Sequence, residues 1–228
     1  MCLSIITLAI LASHQVQAHY LFGHLIVNGT KSKPFQYVRD VTANETYDHD
    51  AEFGRQYPLF GHDLDSTNFT CGRDAIKFAQ KTATATIIAG TEVGLRVIPK
   101  AKPWLPNIYN DTIFHDGPAN VYLAKPPSGV ALESWAGDDG EWFKIAGFGA
   151  INSTKWVIDH QEGFYPYTQF YVNCAHVNII GPGGGMPSTF ARFPGAYNYT
   201  EIDERMNRQG WLEDHTKFTG IGPSVWTG

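Results

Sequence analysis

The chain has 228 residues, a formal net charge of −5, 17% charged side chains and 14% aromatics, with 23 glycines and 13 prolines. Basic residues are few and scattered, which excludes a nucleic-acid partner, and no apolar run is long enough to cross a bilayer, which argues against a membrane partner. The balance favours a β-rich secreted protein over a helical cytosolic one.

Residues 1–18, MCLSIITLAILASHQVQA, hold an apolar run from Leu3 to Ala12, a polar stretch, and then Val16-Gln17-Ala18. Signal peptidase accepts small residues at the first and third positions before a junction, and the run is too short to span a membrane. We therefore read 1–18 as a signal peptide, although no Lys or Arg precedes the run, and 19–228 as one domain of a secreted, extracellular protein. Removal of Ala18 leaves His19 first, with an α-amine and an imidazole on one residue that can chelate a metal together.

Strand patterns then dominate. Tyr20 to Asn28 is β-rich and ends at the turn pair Asn28-Gly29. Lys31 to Asp65 lacks a strong pattern and reads as a long loop with a helical turn. Thr82 to Ile88 alternates threonine with apolar residues, as a half-buried strand does. Gly94 to Ile98 and Ala119 to Ala124 are further strands, and Gln169 to Ile180 is the longest clean strand pattern. No segment carries a sustained helical period with caps. Several strands separated by Gly/Pro turns, with no linker and no repeat, predict an all-β chain, an immunoglobulin/fibronectin-like β-sandwich with long loops.

Cys71 and Cys174 remain once Cys2 is removed, an even pair in an oxidising compartment. They either form a disulfide, worth roughly 4–5 kcal/mol for a loop of about 100 residues, or stay as two buried thiols. Sequons begin at Asn28, Asn44, Asn68, Asn110, Asn152 and Asn198, each a candidate glycosylation site that supports a eukaryotic secretory route.

Outside 1–18 the histidines are His19, His24, His49, His62, His115, His160, His176 and His215. None forms an H-x-x-x-H or H-E-x-x-H pair, neither cysteine has a CxxC partner, and no G-x-S-x-G elbow is present. Four local patterns stand together instead: His19 at a new N-terminus, His115-Asp116-Gly117-Pro118 leading into ANVYLA, Gln169-Phe170-Tyr171-Val172-Asn173-Cys174, and Phe193-Pro194-Gly195-Ala196-Tyr197.

With these patterns the chain resembles the fungal lytic polysaccharide monooxygenases of auxiliary activity family nine. HYLFGHLIVNG resembles that family's mature N-terminus, HDGPANVYLA its H-x-G-P-x-x-x-Y motif, TQFYVNCAHVNI its Q-x-Y-x-x-C strand, and FPGAY and GPSVW its C-terminal landmarks. The family also has a strand and an L-R-x-E-x-x-A-L-H segment before Q-x-Y that this chain lacks, since Trp156-Val157-Ile158-Asp159 runs directly into His160-Gln161-Glu162.

The resemblance implies a copper site at a flat surface, one ion per chain, held by the amine and ring of His19 and by His115, with Tyr171 as a weak axial ligand or near neighbour. Neutral nitrogen donors suit copper. Gln169 shares a strand face with Tyr171 because side chains alternate with period two, and so falls where a donor to a copper-bound oxygen species belongs. His160 is the candidate for the family's catalytic histidine before Q-x-Y. His24, His49, His62, His176 and His215 are assigned no role, and His24 and His176 are expected at surface or partly buried strand positions.

The implied activity is oxidative cleavage of a β-1,4-glucan, cellulose, with dioxygen or hydrogen peroxide and an external electron donor. The chain is expected to act as a monomer, and Tyr57, Tyr197 and Tyr199 are candidates to stack on sugar rings, with ordinary packing the equal alternative for each. The alternatives are a copper-binding cell-wall or copper-handling protein of the same fold, and a metal-free immunoglobulin-like adhesion module.

Overall fold

The computed structural model describes residues 19–44, 54–98, 113, 115–158, 168–202 and 214–228. Strand β1 (Phe22–Val27) turns through Asn28 and Gly29 into β2 (Thr30–Lys31). Both turn residues have positive φ, 48° and 73°, the left-handed pair that a two-residue hairpin requires and that Asn-Gly adopts at least cost. The other edge of β1 pairs antiparallel with β4 (Val93–Val97), so the sheet order is β2-β1-β4.

Strand β3 (Ala85–Ile88) runs parallel to β9 (Val177–Ile180). Ala85 and Ile87 are buried while Thr86 and Ile88 are exposed, the alternation expected from TATATII. The buried side of β3 meets Leu25 of β1 and Val38 in one apolar cluster, flanked by Val27 and Val177. Two sheets thus face each other across a shared core, the packing of a sandwich.

A second antiparallel pair joins β5 (Ala119–Leu123) to β6 (Phe143–Phe148), and β7 (Ala150–Asn152) forms a hairpin with β8 (Lys155–Trp156). The last three strands were not expected. They are short, and β6 breaks its own alternation, burying Lys144 (5% exposed) while Phe148 stays exposed. The Lys144 ammonium donates to the Ile221 carbonyl and lies 5.7 Å from the Tyr122 ring centroid, which is how a strand hides a charge.

The expected strand over 169–180 is shorter than its pattern. Only Val177–Ile180 forms a ladder; upstream, Phe170 and Ala175 make isolated bridges to Leu59 and Val38. Those partners lie in irregular segments and offer no edge along which pairing can continue. The helical content among the described residues is short turns, the longest a 3-10 segment Ala75–Lys81.

Cys71, in the turn Asn68–Cys71, is disulfide-bonded to Cys174. The bond ties the loop half of the chain to the segment that carries Gln169 and Tyr171. His24 and His176 correct the expectation of surface or partly buried positions: they are fully buried, 4% and 2% exposed. His24 Nδ1 donates to the Ser32 carbonyl at 2.9 Å, and His176 Nε2 accepts from Arg39 Nε at 2.7 Å. Buried imidazoles are tolerated because each polar nitrogen so engaged keeps a partner.

Candidate metal centre

His19 is delivered by the start of β1. The strand is pinned there from two sides. Leu21 accepts from the Ile98 N–H at 2.8 Å, and the Phe22 N–H donates to the Asn173 side-chain carbonyl at 3.1 Å. Asn173 lies two residues beyond Tyr171, so this bond sets the N-terminal segment against the Q-x-Y segment. His115 is delivered by the entry to β5. Gly117 has φ 151°, a conformation that favours glycine, and its N–H donates to the Ile158 carbonyl at 3.1 Å.

These two distant segments converge. The His19 and His115 ring centroids are 6.0 Å apart, and His115 lies 5.7 Å from Tyr171 with the rings tilted by 23°. The Tyr171 hydroxyl donates to Gln169 Oε1 at 2.7 Å, so both side chains share a face as the period-two spacing requires. That bond also orients the amide. With Oε1 accepting from Tyr171, the Gln169 NH2 is the donor end left to address a ligand at the site.

Three residues that sequence reasoning passed over shape this arrangement. Tyr20 is buried and stacks on Tyr171 at 3.8 Å with a 19° interplanar angle, and its ring is 6.2 Å from His115. Burial, and then the charge of Asp116, hold the Tyr20 phenol well above its usual range, so it is a neutral plate at working pH. Its adjacency to His19 was the available signal. Asn173 had no signal beyond its place in the motif.

Arg73 had none at all. It donates to the carbonyls of Thr42, Gly54, Arg55, Tyr57 and Pro58, folding the 54–58 loop around one guanidinium. The fork of donors on Arg suits this role in a way a lysine cannot match. The loop so held carries Tyr57, whose ring meets His19 edge-on at 4.5 Å.

Of the proposed stacking residues, Tyr57 stands beside His19 and Tyr199 is 48% exposed. Tyr197 takes the packing alternative: half-buried, it packs against Phe69 and Phe193, and its hydroxyl meets that of Tyr122 at 2.7 Å. A large ring with a ready hydroxyl partner is more stable buried than exposed. His62 is exposed near Asp63, and His215 stacks on Trp156 at 4.8 Å. His49, His160 and Asn110 lie outside the described residues.

The donors fit copper. An imidazole nitrogen ligates a divalent ion at roughly 2.0–2.1 Å with its ring centre about 1 Å farther on, so two rings on opposite sides of one ion stand about 6 Å apart. The 6.0 Å between His19 and His115 meets that requirement. Among the described residues no group of three or more His, Cys, Asp or Glu forms a metal cluster. The donors here are two imidazoles beside a phenol, a nitrogen-rich set suited to copper and poor for calcium or magnesium.

Comparison with known proteins agrees. The model of Auxiliary Activity family 9 (formerly GH61) matches residues 19–164. The AA9 family lytic polysaccharide monooxygenase U of Thermothielavioides terrestris is 38% identical over 248 aligned positions, covering 92% of this chain and 93% of the relative. Because 248 positions draw on only 92% of 228 residues, that relative carries tens of residues with no counterpart here. Monooxygenase D of Aspergillus tamarii is 30% identical, covering 100% of this chain and 87% of the relative.

Two solved structures share the β-sandwich fold. The crystal structure of HiLPMO9B has a TM-score of 0.65 at 18% identity, covering 92% of this chain and 100% of that one. The extended catalytic domain of H. jecorina LPMO9A has a TM-score of 0.62 at 18% identity, covering 92% of each. With a family match over most of its length and a relative at this identity, the chain belongs to Auxiliary Activity family 9, the copper-dependent lytic monooxygenases that cleave polysaccharides oxidatively.

Proposed function

We propose that the protein is secreted, loses residues 1–18, and holds one copper ion through the His19 amine, a His19 ring nitrogen and a His115 ring nitrogen, with Tyr171 as a weak ligand or near neighbour. Its substrate is a β-1,4-glucan, cellulose, cleaved with dioxygen or hydrogen peroxide and electrons from an external donor. The observation that carries this reading is the convergence of His19 and His115 to 6.0 Å beside a Tyr171 hydrogen-bonded to Gln169. The start of the family match at His19 supports the cleavage point.

Copper, when bound, supplies the one-electron chemistry that activates the oxidant. The protein supplies position. Neutral amine and imidazole nitrogens hold the ion, so binding requires both groups deprotonated. Tyr20 backs Tyr171 and thereby the direction of the Gln169 NH2, which steadies oxidant above the site by donating to it. His160, nine residues before Gln169 in the chain, is the candidate second donor. Tyr57 and Tyr199 offer flat apolar faces to sugar rings beside the metal. The sequons other than Asn198, namely Asn28, Asn44, Asn68, Asn110 and Asn152, are proposed glycosylation sites as well.

Copper-loaded protein with a reductant and amorphous cellulose should release oxidised cello-oligosaccharides, read by mass spectrometry. A second reading is copper binding without cleavage. It is favoured by the residues missing relative to the T. terrestris protein and by Phe148, Ile151 and Val157, all exposed just before the segment where the family match ends. Tight copper binding with no oxidised product from any β-glucan would establish it.

A further inference from the structure

The aromatic face beside the metal centre continues beyond Tyr57. Tyr57 lies 4.5 Å from His19 and 6.0 Å from Phe60. The next residue, Gly61, lies directly beneath Tyr199, where a Cβ would come within 2.1 Å of the ring. Glycine is thus required for Tyr199 to lie down on this face, where it keeps 48% of its surface exposed. Tyr199 is also the middle residue of the sequon Asn198-Tyr199-Thr200.

Asn198 is exposed and rigidly mounted. Its Oδ1 accepts from the backbone N–H of Thr200 at 2.9 Å and of Glu201 at 3.4 Å, capping the turn Tyr199–Ile202. The turn is anchored by Ile202, 1% exposed, in the cluster of Leu59, Leu64 and Phe69. The cap uses the oxygen of the amide and leaves Nδ2, the atom a glycan would occupy. The other described sequons differ. Asn28 and Asn152 stand at the β1–β2 and β7–β8 turns, and Asn44 and Asn68 are half-buried, Asn68 accepting from the Asp74 N–H at 3.0 Å.

We propose that Asn198 carries an N-linked glycan whose first sugar covers Tyr199, so that the glycan and the glucan substrate compete for one aromatic plate. This rests on the reading that the His19–Tyr57–Tyr199 face meets glucan. The donor is a lipid-linked oligosaccharide pyrophosphate of the secretory pathway. Nδ2 bonds to the anomeric carbon, the carbon–oxygen bond to pyrophosphate breaks, and Nδ2 loses one proton, with no change of oxidation state. Oδ1 keeps its lone pairs, so the cap survives. An N-acetylglucosamine ring presents the same kind of C–H face as the glucose of a glucan, and an exposed phenol stacks either one.

The test uses the full chain secreted from a eukaryotic host. Peptide mass spectrometry should find Asn198 occupied. Thr200→Ala removes the sequon but keeps the Asn198 cap, and Thr200→Ser keeps both. We expect Thr200→Ala to bind amorphous cellulose about three- to tenfold more tightly, the scale of one aromatic contact, and Thr200→Ser to match the parent. Adding Tyr199→Ala to Thr200→Ala should remove the gain. An unmodified Asn198, or occupied protein whose binding Thr200→Ala leaves unchanged, overturns the proposal alone. A Thr200→Ala protein indifferent to Tyr199→Ala overturns the substrate-face reading and this proposal with it.

Discussion

Two pairs of histidines in this chain have opposite fates. His19 and His115 come from segments almost a hundred residues apart and set their rings 6.0 Å from each other. His24 and His176 are nearly inaccessible, and each turns a nitrogen to a protein partner, the Ser32 carbonyl and the Arg39 guanidinium. All four lie on or beside strand patterns. What separates them is whether the fold sets a second imidazole beside the ring or buries the ring alone against a protein hydrogen-bond partner.

The contrast breaks most sharply in copper binding. Replacing His115 with Ala, or leaving one extra residue before His19, should weaken copper affinity more than about 100-fold, while His24→Gln leaves it unchanged. Isothermal titration with Cu(II) reads this. An extended N-terminus that binds copper as tightly as the processed one would remove the amine from the site.

The disulfide bears on both pairs, because Cys174 lies between Tyr171 and His176. Cys71→Ser with Cys174→Ser should lower stability by roughly 4–5 kcal/mol, seen as an early urea midpoint. A loss of about 1 kcal/mol or less would mean that packing alone holds the two halves together.

A third measurement isolates the buried pair. Burial, and then the charge of Arg39, push His176 down to about 4, against the smaller opposing effects of a hydrogen bond with the Thr82 backbone and the charge of Glu133. The folded imidazole stays neutral while the unfolded one protonates near 6.5, so the unfolded state binds more protons as pH falls. Stability is full above about pH 6.5 and should drop by on the order of 2–3 kcal/mol towards pH 4. Urea midpoints of the metal-free protein give the slope. His176→Gln, which can still accept from Arg39, should flatten it.

The finest distinction lies in the surroundings of His19 and His115. Gln169→Ala should cut oxidised-product release about 10- to 100-fold and change copper affinity about threefold at most. Equal losses in both would make Gln169 a prop for the metal ligands, not a donor to the oxidant.

Much of this was legible in the residues. TATATII produced the half-buried β3, Asn28-Gly29 the hairpin, and Gln169 and Tyr171 the shared face, because each depends on local alternation or a two-residue turn. Strands β6 to β8 were not legible: β6 pairs with β5 across about twenty residues of intervening chain and does not alternate cleanly, and β7 and β8 are too short to show a period. Tyr197 stayed open between the two because the same ring serves equally well as a surface plate or packed inside, and its environment is set by Phe69, Phe193 and Tyr122 from elsewhere in the chain.

Sequence by itself determined the family, the β class, the pair of cysteines and the candidates for metal donors, all carried by short motifs whose spacing is a local property. Only the tertiary structure decided that Arg73 shapes the loop of Tyr57, that Tyr20 backs Tyr171, that Asn173 registers the His19 segment against the Tyr171 segment, and that Tyr199 lies on Gly61. Those roles depend on which carbonyls and rings meet across long stretches of chain, and no spacing along a strand encodes a contact made through space.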